Sequence, residues 1–236
     1  MKVFINPGHS KNCKPDCGAT GFEKYEAVIA AEIGEKLFEC LRQQGITSVV
    51  HQQYGNKLTA NQQLNEVPRK ANASGADLFL SIHLNAASAS AKGTETLYAK
   101  GSKNGKKFAE LINAELTKPF TNYTLTNRGA KEDSRNLLVL RATSMPAALV
   151  EVGFISNKED NKFICTHTSE IAQRLCTAIC KYYGVAQKST VAKAKQEFKL
   201  EHVDEDNYDL YVNGTLVLAA NKFSTCVEYL EKHHGV

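Results

Sequence analysis

The sequence predicts a three-layer α/β domain with a mostly parallel sheet, followed by a small C-terminal α+β unit. Three observations carry this. Strand-like and helix-like patterns alternate from residue 3 to residue 183, the order that lays helices on both faces of a parallel sheet. The segment ADLFLSIHLN (76–85) is an almost unbroken apolar run, as in a strand covered on both sides. Beyond residue 184 the chain turns small, polar and lysine-rich before an Asn213-Gly214 pair opens a new pattern.

The elements follow in order. Residues 2–6 form a strand that Pro7 and Gly8 stop, leaving His9 on the turn. A helix covers 23–44, with an apolar stripe through Ile29, Ile33, Leu37 and Leu41 and a stop at Gly45. ITSVVHQ (46–52) is short and β-branched, hence a strand. Residues 58–74 are helical with a break expected at Pro68. Strands follow at 76–85 and 93–99, then a helix at 103–117 with apolar residues at 108, 111, 112 and 116. NLLVLRA (136–142) and PAALVEVGF (146–154) read as two more strands, and 168–183 as a closing helix. The boundaries are therefore a body at 1–184, a linker at 185–198 and a unit at 199–236. That unit reads as a strand, a type I′ hairpin around Asn213-Gly214 and a helix at 225–234 opened by Thr225 and Glu228 in capping-box spacing.

Composition narrows the function. With 42% hydrophobic residues the chain can bury a core. The net charge is only +4, and from residue 187 onward six lysines face eight acids, so the basic excess lies in the body. No element combines clustered Lys and Arg with aromatics, which argues against nucleic acid. No apolar run approaches the ~20 residues of a membrane span, so no membrane insertion is expected. Strand residues begin at Val3 with no basic and apolar leader before them, so the chain is expected to be made in a cytoplasm without a signal peptide. Seven cysteines, an odd number beside a large core, suggest mostly reduced thiols. A Cys13–Cys17 disulfide is not expected in such a compartment.

Sites in parallel sheets gather beyond the carboxyl ends of strands. His9 stands at the end of the first strand, His83 at the end of LFLSIH, and Glu151 near the end of AALVEV. At 100° per residue, Glu26 projects within roughly 20° of Ile33 and so turns inward, while Glu23 is about 80° away. A buried carboxylate is costly unless it is paired or metal-bound. Two histidines and one carboxylate are a zinc set that leaves a fourth position for water. Glu151, an acid amid apolar residues, can then serve as general base for amide hydrolysis. Each residue has a plainer reading: a structural imidazole at a strand end, a helix-terminal acid, an Asn85 that only terminates its strand. A rival metal set of His9, Cys13, Cys17 and His83 lacks the paired two-residue gaps of structural zinc sites. His51 reads as an unrelated surface residue, and His167, His202, His233 and His234 as solvated. Cys176 and Cys180 read as small buried apolar residues.

The motifs FINPGHS, SIHLNA, GTETLY, NRGAKE and LLVLRATSMPAALVEVGFISNKED, in this order over residues 1–184, resemble the zinc-dependent N-acetylmuramoyl-L-alanine amidases of the amidase type 3 family. The resemblance implies a phosphorylase/hydrolase-like fold, zinc on His9, Glu26 and His83, and a catalytic Glu151. It implies peptidoglycan as substrate, cut between the lactyl group of N-acetylmuramic acid and L-alanine. Asn85, Arg128 and Arg141 are candidates for binding it, since an arginine fork suits a peptide carboxylate. Two features depart from the pattern: SKNCKPDC replaces a glycine-rich turn, and Ala30 stands where an asparagine is usual. Without a leader, the chain reads as a phage or prophage endolysin released to the bacterial wall. The alternatives are a zinc peptidase acting on wall peptides and an inactive wall-binding module.

Overall fold

The computed structural model describes residues 1–53, 59–188, 198–204, 207–212 and 215–220. It divides into two compact units, Met1–Lys188 and Ser189–Val236. The first is built on a six-stranded sheet in the order β4-β1-β5-β8-β6-β7. The strands are β1 (Lys2–Pro7), β4 (Thr47–Val50), β5 (Leu78–Asn85), β6 (Thr94–Tyr98), β7 (Asn127–Glu132) and β8 (Ala147–Phe154). All neighbours run parallel except β6 and β8, which pair antiparallel. A two-stranded hairpin, β2 (Thr20–Gly21) with β3 (Lys24–Tyr25), lies outside this sheet.

Alternation along the strands sorts the layers. Val3, Ile5, Leu78, Leu80, Ile82, Ala148, Val150 and Val152 face one way, into a core completed by α1 (Glu26–Gln44), α3 (Lys103–Leu116) and α6 (Thr168–Tyr183). Phe4, Phe79, Leu97, Ala147 and Leu149 face the other way, under α2 (Ala60–Ala73) and the one-turn α4 (Leu138–Arg141). Ser81, His83, Glu95 and Glu151 continue this second set of positions along their strands. The Glu95 and Glu151 carboxyls and the His83 imidazole therefore sit on the thinly covered face. α5 (Lys158–Thr166) follows β8, and its buried Asp160 accepts hydrogen bonds from the Gly93 and Phe154 amides and the Tyr123 hydroxyl. That carboxylate ties the start of β6 to the end of β8.

Several expectations need correction. The helix expected from residue 23 begins at Glu26, because Phe22 and Glu23 both hold positive φ in the β2–β3 turn. No break occurs at Pro68: α2 runs through it, with Pro68, Val67 and Ala71 buried against the sheet, and burial outweighs one missing N–H bond. The strand expected at 136–142 is the short helix α4. The Asp133 carboxylate accepts from the Arg135 and Leu137 amides and folds the chain over before it can extend. β7 and α5 had no counterpart in the sequence reading. Cys13 and Cys17, expected as thiols, form a disulfide within the loop after His9. His167, read as solvated, is half-buried and stacks on Phe163.

The second unit shows three antiparallel strands, β9 (Phe198–Asp204), β10 (Asn207–Val212) and β11 (Thr215–Ala220), in the order β11-β10-β9. The hairpin tip 213–214, the helix expected at 225–234, and His233 and His234 lie outside the described residues. No helix among the described residues is long and apolar enough to cross a membrane.

Candidate active site

β1 delivers His9 just past its carboxyl end, in a left-handed backbone conformation (φ 63°). The preceding Gly8 amide bonds the Ile82 carbonyl of β5, which fixes the turn against its neighbour. β5 delivers His83, and α1 delivers Glu26 as its first residue. Glu26 is 4% exposed yet fully engaged. One oxygen lies 2.9 Å from His83 Nδ1 and accepts the Leu84 amide. The other lies 3.1 Å from His9 Nε2 and accepts the Ala19 amide. One donor atom from each of His9, Glu26 and His83 falls within 4.8 Å of the others.

The electrostatics follow from this geometry. Burial would push the Glu26 carboxyl up, but the two imidazoles outweigh it and hold Glu26 far below the carboxylate range. Burial alone would depress His9; Glu26 and Asp16 together raise it to about 9. Burial raises Glu151, with Glu26 and Glu95 adding to the rise and His83 and Arg135 opposing it.

The donor set fits a divalent metal. Two nitrogens and a carboxylate oxygen match the ligand types of catalytic zinc. Asp16 Oδ2 sits 2.6 Å from His9 Nδ1, the outer contact that orients a ligating imidazole. Gly8 and Gly18 leave no room for side chains: a Cβ on either would strike the His83 ring or the His9 and Glu26 groups. Glu151 stands opposite His83 in the β5–β8 register, and its buried Oε2 has no hydrogen-bond partner among the described residues. Such an orphaned acceptor suits a water or a substrate group. The rival set fails, because Cys13 and Cys17 spend their sulfurs on each other.

The remaining candidates separate. Asn85 Nδ2 donates to Glu95 Oε1 at 2.9 Å, and Arg128 Nε donates to Glu95 Oε2 at 3.0 Å, so both gather beside Glu151. Arg141 is not brought there. It lines a separate cavity of about 690 Å³ with Lys100, Asn136 and Ala147, at the opposite end of β8. His51 also stays outside the cluster, half-buried, with Nε2 3.9 Å from Glu66. The sequence reading missed Asp16, Glu95 and Arg135, whose Nη2 lies 3.7 Å from Glu151 Oε1. Glu95 carried the same signal as Glu151, an acid on a strand otherwise rich in apolar and β-branched residues. Asp16 and Arg135 sit in irregular loops and carried none.

Fold and site together define an α/β protein with a metal-suited His–Glu–His cluster and a buried acid where its strands end. The sequence profile described as N-acetylmuramoyl-L-alanine amidase (Amidase_3) matches residues 3–181. The chain belongs to this family of peptidoglycan hydrolases. It is 31% identical over 206 residues to the endolysin of Bacillus phage SPP1, covering 84% of this chain and 71% of that one. It is 31% identical over 186 residues to the amidase LytC of Bacillus subtilis, covering 77% of this chain and 35% of LytC. The crystal structure of an N-acetylmuramoyl-L-alanine amidase from Clostridium difficile 630 superposes with a TM-score of 0.67 at 28% identity, covering 79% of this chain and 98% of that one.

Proposed function

We propose that the chain hydrolyses the muramoyl–L-alanine amide with zinc held by His9, Glu26 and His83 and with Glu151 as the acid–base group. Catalysis is assigned to the first unit, Met1–Lys188, where the body expected at 1–184 lies, and not to the unit that holds β9 to β11. The observation that carries this reading is the convergence of the three donor atoms within 4.8 Å, beside an acid whose Oε2 lacks a partner. When bound, zinc supplies Lewis acidity, acidifying water and polarising a carbonyl. Glu26 is kept anionic and fixed by two backbone amides, so it binds without rearranging. Glu151 takes the proton from the attacking water and hands it to the departing alanine nitrogen. Its raised pKa favours holding that proton between the two steps. Asn85 and Arg128 line the substrate side. The likeness to a phage endolysin supports a route in which the chain reaches the bacterial wall by phage-type release.

The test is a pair of variants. Glu151→Gln should retain zinc and lose wall digestion by roughly 10²–10⁴-fold. His83→Ala should lose the zinc itself. Digestion by Glu151→Gln at the wild-type rate would remove Glu151 from the mechanism. Release of free L-alanine N-termini from intact glycan strands separates an amidase from a peptidase.

A further inference from the structure

Arg128 is built differently from the other cations around the site. Its Nε is spent on Glu95 Oε2 at 3.0 Å. Its guanidinium carbon lies 4.9 Å from the ring centroid of Phe154, which is itself only 2% exposed. One edge is therefore tied and one face supported, while the two Nη groups have no protein partner among the described residues. Glu95 is clamped in turn: Lys131 Nζ sits 2.6 Å from Oε2 and Asn85 donates to Oε1. Burial would raise the Glu95 carboxyl, but Lys131 and Arg128 outweigh it and hold it ionised. Two cations on one carboxylate leave one net positive charge, while Arg135, 3.7 Å from Glu151, offsets that acid. The result is a pre-oriented planar fork in a cationic setting, and a planar fork matches a carboxylate bidentately.

Its position sets which carboxylate. Glu95 stands directly across from Glu151 in the β6–β8 register, one strand spacing or about 5 Å away. That spacing separates the two backbones, so Arg128, held by Glu95, stands on the β6 side of the acid–base group, and the first free carboxyl beyond the scissile L-alanine nitrogen of a stem peptide is that of the next residue. We propose that Arg128, positioned by Glu95 and Phe154, makes the enzyme selective for stem peptides whose residue after L-alanine carries a free α-carboxylate rather than its amide. This rests on the amidase reading above and adds the substrate chemistry. Arg128 is the specificity-determining residue; Glu95 acts through it as a positioning residue.

The zinc-loaded full chain is assayed on two soluble substrates, N-acetylmuramoyl-L-alanyl-D-glutamate and the same compound with its α-carboxyl as a primary amide. The wild type should favour the acid in kcat/KM by roughly 10–100-fold, the discrimination expected of a charge-assisted pair. Arg128→Gln should bring that ratio close to one, chiefly by raising KM for the acid. Arg128→Lys, which keeps the charge but not the fork, should recover part of it. Glu95→Gln should lower the ratio with zinc content unchanged. A wild-type ratio near one, a preference for the amide, or an equal loss on both substrates in Arg128→Gln would overturn the proposal. Cleavage of neither substrate together with no release of L-alanine N-termini from purified walls would overturn the amidase reading itself, and cleavage of neither while walls are digested would overturn this inference alone.

Discussion

Asp16 meets His9 at 2.6 Å, and that contact decides how the imidazole presents itself. With a carboxylate on Nδ1, the ring keeps its proton there and turns Nε2 toward Glu26 and the cluster. Asp16→Asn keeps the shape but loses the charge. Zinc affinity should fall roughly 10–100-fold, as for other outer contacts of ligating histidines, measured by competition with a chromogenic chelator. Unchanged affinity would show that Asp16 only shapes the loop. Glu26, His83 and Glu151 were legible in the sequence because each stands on a regular element, where period or facing angle tells its direction, and His9 because it stands on the turn just past a strand end. Glu26 was separable from Glu23 on that basis, and the structure leaves Glu23 exposed in a turn. Asp16 and Arg135 were not legible, because a loop has no period and their partners are close only after folding. Arg141 was a candidate only for its guanidinium fork; the segment that holds it, read as a strand, is the short helix α4, by a cavity at the other end of β8.

At the scale of elements, α3 and α6 are joined around one buried acid. Glu115 is 2% exposed and pairs with Lys118 and Lys181, each at about 2.6–2.7 Å. Burial would raise its pKa, but the two ammonium groups win and hold it below its ordinary value of 4.5. A depressed acid stabilises the fold fully above its unfolded value and loses that contribution as pH falls through the folded one. Glu115→Gln should therefore cost on the order of 1 kcal/mol at pH 7, and the gap to wild type should close as pH drops below 4.5. Urea titrations at several pH values read this directly; a gap that stays constant with pH would show packing, not charge, at work. The central strands were readable because burial on both faces makes them continuous apolar runs. β7 was not: it is a polar, largely exposed edge strand, NRGAKE. α5 was too short for a periodic signal, although Asn157 caps it through the Glu159 and Asp160 amides.

At the scale of the whole first unit, α1, α3, α5 and α6 pack into one core of the sheet and only α2 and the one-turn α4 into the other, which makes a thick back and a thin front. The proposed metal ligands stand just past β1, at the start of α1 and on β5, so a bound ion would cross-link three elements brought together only in the folded state. Zinc at a hundredfold excess over its dissociation constant should add about 2.7 kcal/mol. A chelator should accordingly lower Tm by roughly 5–10 °C for a unit of this size. No shift in calorimetry would mean the cluster holds no ion. The thin front has a mechanical meaning as well. His9 and His83 remain a fifth exposed at the rim of a shallow hollow, with Leu64 and the 137–139 segment as its wall. A stiff sugar polymer cannot bend into a deep hole, but it can be approached broadside, like a blade laid against rope. A strand lying across an open hollow can offer any stem peptide along its length, so the proposed cut needs no free glycan end and leaves the strand itself whole.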